Sequence, residues 1–293
     1  MYRTKIIIFK EIPYFCFTSI AKSMQKKTIV TFNPLKVRIS QEEKIVSLGS
    51  CFSTEIGRLM ELDHYKLLNN PFGVLFNPAS IASSIKHLAE PKEFTFEDVI
   101  PRNTNPIYDD TKWTDEGYVS FHHHGSFRRE TPEAFLKNAN DSLKSAAEHF
   151  FEAKWCLVTF GTAWVYRHID KDIIVSNCHK HPSKEFRREF LTIGEIVAMY
   201  RPIINEFPDK EWIFTLSPIR HIKDGLHENQ ISKATLLLSI ESLVREYDNV
   251  HYFPSYEIVL DEMRDYSHFA EDSVHPSEQT IALIYEKFKS FAL

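Results

Sequence analysis

The chain has 293 residues, 43% of them hydrophobic, with only 8 Gly and 14 Pro, which suits one large core and excludes fibrous or low-complexity classes. A formal charge of -5 gives no general attraction to nucleic acid or acidic lipid, and no apolar run reaches the ~18–20 residues of a membrane span. Four scattered cysteines (Cys16, Cys51, Cys156 and Cys178) suit free thiols in a reducing compartment, so a cytoplasmic location is expected.

Residues 1–39 read as an N-terminal extension. Ile6-Ile7-Ile8-Phe9 is apolar, but Lys10-Glu11 interrupt it and make it a poor signal peptide; Met24 begins a more ordinary polar start. Residues 40–293 read as one domain. Strands are expected at Lys44–Leu48, Tyr65–Leu68, Trp155–Phe160, Trp212–Leu216 and Val250–Phe253. Helical patterns cover Ser53–Leu62, Pro78–Leu88, Pro132–Phe151, Thr192–Phe207, Gln230–Tyr247 and Ser277–Phe291, the last with Ser277 as N-cap. Strand and helix alternate, which predicts an α/β chain: a five-stranded, mostly parallel sheet with helices on both faces, in three layers. Two insertions interrupt it. Residues 97–130, with Trp113, Tyr118 and His122-His123-His124, form a long irregular cap, and Trp164–Ile169 with Ile173–Ser176 form a hairpin about Asp170-Lys171-Asp172.

Ligands of such sheets bind beyond the carboxyl ends of the strands. The segments there are polar or glycine-bearing: Gly49-Ser50-Cys51, Asn69-Asn70-Pro71-Phe72-Gly73, Gly161-Thr162 and Ser217-Pro218-Ile219-Arg220-His221, with Asp272-Ser273-Val274-His275 before the last helix. Ser50 directly follows an apolar strand, where its hydroxyl points out at the sheet edge and the next N–H groups face any oxyanion. A serine hydroxyl needs a base, and Asp272 and His275, three residues apart, can supply a carboxylate-oriented imidazole. The competing readings are structural. Ser50 could be a helix N-cap and His275 a surface turn residue. Cys51 at a helix N-terminus is a rival nucleophile. Adjacent histidines on a strand point to opposite faces and Cys178-His179-Lys180-His181 lacks paired zinc spacing, so no metal is expected. His124, His179 and His221 fit a pocket-lining role better, and Arg220-His221-x-Lys223 fits either an anionic substrate group or a solvated loop.

These residues resemble the GSCFA-domain family, a relative of the SGNH/GDSL hydrolases. The likeness lies in Gly49-Ser50-Cys51-Phe52-Ser53, Asn70-Pro71-Phe72-Gly73, Phe160-Gly161-Thr162-Ala163-Trp164, Asn177-Cys178-His179-Lys180, Ser217–Asp224 and Asp272-Ser273-Val274-His275-Pro276, over roughly residues 40–291. The resemblance implies a flavodoxin-like sheet and a Ser–His–Asp esterase site: Ser50 as nucleophile, His275 as base, Asp272 as orienting acid, and an oxyanion hole from Ser50, Gly73, Gly161 and Thr162. Asn70, Trp164, His124, His179, Arg220 and His221 would contact substrate. One departure stands out. SGNH enzymes place an Asn donor two residues after the third-block glycine, and Ala163 occupies that position. Thr162, Trp164 and His179 are the candidates to replace it.

The expected function is cleavage of a small acyl ester, on a small molecule or a carbohydrate, with no cofactor, no nucleic acid and no membrane span. The alternatives are acyl transfer with the same serine and a non-catalytic binding module, which Ala163 favours.

Overall fold

The computed structural model describes residues 28–102 and 117–293. The readings placed on residues 1–27, on Cys16 and on Trp113 lie outside the described residues. Five strands form the main sheet: β1 (Lys44–Gly49), β2 (Lys66–Asn69), β5 (Trp155–Phe160), β9 (Glu211–Leu216) and β10 (Val250–Phe253). Their order is β10-β9-β5-β1-β2 and every neighbouring pair is parallel. This is the flavodoxin-like order, in which the chain reverses its direction of travel across the sheet between β1 and β5.

The central strands are apolar runs because both of their faces are covered. All six residues of β5 are buried, and alternate side chains enter two different cores. Val46, Leu48, Cys156, Val158 and Phe160 face one core, under α2 (Pro78–Ala89), α3 (Pro132–Glu152), α4 (Ile193–Glu206) and α5 (Leu226–Glu246). Ile45, Trp155, Leu157 and Ile213 face the other, under α1 (Cys51–Leu62) and α7 (Glu278–Ala292). Each large side chain so buried contributes about 1.5–3 kcal/mol relative to exposure. The predicted three-layer α/β sandwich is therefore the observed one.

Local chemistry sets the element ends. Thr192 and Glu195 form a reciprocal capping box at α4, and Ser277 caps α7 through the Thr280 N–H, as the sequence predicts. Two helices begin earlier than their apolar periodicity suggests: α1 at Cys51 rather than Ser53, and α5 at Leu226 rather than Gln230. The first turn of α5 is polar or exposed and carries no periodic signal, and α1 starts directly where the β1 turn ends.

The insertions have more regular structure than expected. Within residues 97–130, β3 (Ile100–Pro101) pairs with β4 (Tyr118–Val119). The expected hairpin is present as β6 (Trp164–His168) and β7 (Ile173–Val175). A third strand, β8 (Phe186–Phe190), pairs along the other side of β6. Its sequence, Phe-Arg-Arg-Glu-Phe, hides the alternation behind charged, exposed positions. A short turn, α6 (Ser255–Glu257), runs into a π-turn at Ile258–Glu262.

Candidate functional site

The chain turns sharply from β1 into α1. Gly49 makes that turn with φ +154°, and a Cβ there would lie 2.6 Å from Thr159, so only glycine fits. Asn70 braces the turn from the end of β2. Its Oδ1 accepts from the Gly49 N–H at 2.8 Å and its Nδ2 donates to Thr54 Oγ1 at 2.9 Å. Asn70 itself sits at φ +47°, an uncommon conformation for a residue with a side chain. Both side-chain groups of Asn70 thus hold the Ser50 turn rather than reach into solvent.

Ser50 occupies the N-cap position of α1 yet makes no capping bond. Its side chain, 4% exposed, donates instead to Ser217 Oγ at 3.1 Å. The first-turn N–H groups of α1 are therefore left uncapped by Ser50, at the positive end of a 12-residue helix. A plain N-cap serine would not do this. Cys51 is less suited to attack: burial, with the Glu55 carboxylate nearby, raises its thiol above the ordinary range.

The second half is a self-contained loop. Ser273 adopts φ +55°, which folds the chain back on itself. Asp272 Oδ1 then accepts from the Val274 and His275 N–H groups at 2.8 and 3.0 Å, while Oδ2 meets His275 Nδ1 at 2.6 Å. These bonds, from the His275 backbone, the His275 ring and the Val274 backbone, hold the Asp272 carboxyl down at about 2, so it stays ionised. An ionised partner on Nδ1 fixes the ring tautomer and leaves Nε2 as the free base position.

Two tethers bring the halves to one edge of the sheet. The Arg220 N–H donates to Val274 O at 3.1 Å and its guanidinium to Ser273 O at 2.9 Å. Val274 also packs on the apolar cluster that contains Phe52 and Ile219. His221 lies close enough to His275 for a protonated His275 to disfavour its charge. Burial is the larger cause, with Lys233 next, and together they push His221 down to about 4. Among the described residues no hydrogen bond joins Ser50 to His275; the Ser50 hydroxyl is turned to Ser217.

Three of the four expected oxyanion donors, Gly73, Gly161 and Thr162, are engaged. The Gly73 N–H donates to Asn70 O at 2.8 Å, closing a four-residue turn, and Gly161 and Thr162 N–H both donate to Phe76 O, at 2.7 and 3.0 Å. The Thr162 hydroxyl lies 3.2 Å from Ser232 Oγ, and the Ala163 N–H donates to Ser232 Oγ at 2.8 Å. Ala163 is fully buried in the main core, where a larger polar side chain would have to displace packed neighbours. His179 Nε2 is bonded to Ser120 O at 2.8 Å, deep in the insertion. Trp164 packs under the Arg188 guanidinium, 4.0 Å from the ring centroid, with its indole N–H buried and unpartnered. His124 sits over Gly73, its Nδ1 3.0 Å from Ser126 Oγ.

Several residues of the site carry no motif. Lys233 on α5 is 1% exposed, and its Nζ donates to Gly161 O and Ser217 O, both at 2.7 Å. No carboxylate pairs with it among the described residues. Burial pushes its ammonium down to about 7, while the two carbonyl acceptors favour the charged form. Asn229 Oδ1 on the same helix face accepts from the His221 N–H at 2.9 Å. Asn229, Ser232 and Lys233 together clasp the loops after β5 and β9. The one sequence signal is their position: polar residues on the face that continues into Leu236, Ile240 and Leu243.

No group of three or more His, Cys, Asp or Glu side chains is arranged to hold a metal among the described residues. His122, His123 and His124 diverge: His123 is buried against Phe94 and Phe127, and His122 lies 3.8 Å from Asp98. Among the described residues no helix is long and apolar enough to cross a membrane.

Fold and site thus define a flavodoxin-like α/β protein with a serine at the end of its first strand and an Asp–His pair before its last helix. The sequence profile of the GSCFA family matches residues 44–288, and the chain belongs to that family. No curated protein matches the chain.

Proposed function

We propose that this protein is a serine hydrolase of the SGNH type that cleaves a small acyl ester, with a carbohydrate ester as one substrate class. The observation that carries the reading is the Ser50 hydroxyl. It stands at a helix N-terminus without capping it, on the sheet edge to which Arg220 tethers the Asp272–His275 loop. In the reaction His275 Nε2 takes the Ser50 proton as the hydroxyl attacks the ester carbonyl, and Asp272 stabilises the imidazolium. The oxyanion meets the Ser50 N–H and the first-turn N–H groups of α1. His275 then returns the proton to the leaving alcohol, and water, or an acceptor alcohol in a transferase, releases the acyl group. Forming the Ser50–His275 bond requires the Ser50 hydroxyl to leave Ser217.

A second reading has its own support. Gly73, Gly161 and Thr162 spend their N–H groups internally, as a binding module without turnover would allow. Labelling of the intact protein with a fluorophosphonate separates the two. The expected result is a single adduct mapped to Ser50 and absent from Ser50→Ala. An unlabelled Ser50, or an adduct on Cys51, overturns the hydrolase assignment.

A further inference from the structure

Beside the His275 loop lies a cavity of about 270 Å³ that the proposed reaction does not yet use. Its walls come from the loop after β9, the start of α5 and the segment from Tyr256 to Phe269. We propose that this cavity binds a carboxylate carried on a short apolar chain. Resting on the hydrolase reading above, we infer that this is the part of the substrate held next to His275.

The cationic side is formed by Arg220 and Arg264. The Arg220 guanidinium lies 5.5 Å from the ring centroids of both Tyr266 and Phe269, which fix its plane. It gives one hydrogen bond to Ser273 O, and no carboxylate pairs with it among the described residues. A guanidinium offers five N–H donors in a fork that matches a carboxylate, so Arg220 keeps donors in reserve. Arg264 has neither an ion pair nor a hydrogen bond among the described residues. The acid in the lining, Asp265, directs Oδ1 onto the Ser267 N–H and hydroxyl as the cap of its own turn. Two cations thus face one acid whose lone pairs are partly spent, in a chain whose net charge is -5.

The apolar side is built from Leu226, Val259, Leu260 and Met263. Three of these lie on or beside the π-turn at Ile258–Glu262, an irregularity that often accompanies a ligand site. The cavity is slightly smaller than a drug-sized pocket, which limits the occupant to a short chain. Pro218 joins it to Ser217, the hydrogen-bond partner of Ser50, and Arg220 joins it to the backbone of Ser273 and Val274. A ligand anchored here would lie against both halves of the candidate site.

The test uses the full chain as Ser50→Ala, so binding is read without turnover. It is titrated by NMR with hexanoate, 1-hexanol and hexylammonium. Hexanoate should bind saturably, about tenfold or more tighter than hexanol, as a charge-assisted contact requires. Hexylammonium should not bind. Leu260→Trp, at a 44% exposed position on the rim, should fill the cavity and abolish hexanoate binding, and Arg264→Gln should weaken it several-fold. Equal binding of hexanol and hexanoate, or hexanoate binding untouched by Leu260→Trp in a folded protein, overturns the proposal. Hexanoate binding without fluorophosphonate labelling of Ser50 would leave the cavity assigned and sink the hydrolase reading. Labelling without hexanoate binding would do the reverse.

Discussion

The two halves of the candidate site are built in opposite ways. The Ser50 turn is fixed by residues distant in sequence: Asn70 braces it, Ser217 receives its hydroxyl, and Lys233 holds the Ser217 carbonyl from below. The Asp272–His275 loop is half-exposed and makes its own geometry from four consecutive residues and one positive φ. Arg220 reaches it from the Ser217 loop with two hydrogen bonds. A nucleophile needs a fixed direction of attack and a water-poor surrounding, which tertiary contacts supply. A base needs the correct tautomer and room to exchange protons with solvent, which a short surface loop supplies.

The sharpest way to break this comparison is to remove one member of each half. Ser50→Ala should abolish turnover of p-nitrophenyl acetate with the circular dichroism unchanged, and Cys51→Ala should leave most of it. Asp272→Asn should lower kcat by about 10³–10⁴-fold, because the amide cannot hold Nδ1–H and also stabilise an imidazolium. A kcat for Asp272→Asn near the parent value would mean that the pair is only a turn motif.

Lys233→Met tests whether the support under Ser50 matters to rate. It removes a buried charge but strands two carbonyls, and each stranded buried acceptor costs about 1–3 kcal/mol. The expected outcome is a lowered urea midpoint and a fall in kcat of about tenfold or more with KM little changed. A fall in stability alone, with kcat intact, would make Lys233 purely structural.

Asn70→Ala should cost about 1–3 kcal/mol by leaving the Gly49 N–H unmet, read as a shift in the urea midpoint. A comparable truncation on the loop side, Ser273→Gly, should cost little or even stabilise, since glycine prefers that φ. If both substitutions behave alike, the contrast between a braced turn and a self-built loop fails.

A further test concerns acid. His87 and His179 are held at about 4, and His123 well below the ordinary 6.5, mainly by burial, with further depression of His87 and His123 from neighbouring histidines. The unfolded chain binds these protons near pH 6.5 and the folded chain does not. Stability should therefore be complete above that pH and decline as the pH falls toward 4. His123→Phe, which keeps an aromatic ring between Phe72 and Phe127, should flatten that slope in pH-dependent urea unfolding.

The main sheet was legible because its strands are short apolar runs between amphipathic helices, and burial on both faces leaves little choice of residue. Ser277 announced the last helix by cap chemistry. Strand β8 was not legible, because the charged run Arg187-Arg188-Glu189 on an edge strand breaks the apolar alternation. The same limit hid Lys233 and Ser232, which in sequence are two polar residues in a helix of low amphipathicity.

The sequence by itself determined the αβ alternation, the serine after the first strand and the Asp-x-x-His pair, since each rests on residues near one another in the chain. Tertiary structure alone decided where the polar groups point. Ser50 turns to Ser217 rather than to its own helix, and the N–H groups of Gly161 and Thr162 go to Phe76. Ala163 lies sealed in the core. The physical reason is that a hydrogen-bond donor takes whichever acceptor packing brings within 3 Å, and those acceptors lie tens to hundreds of residues away.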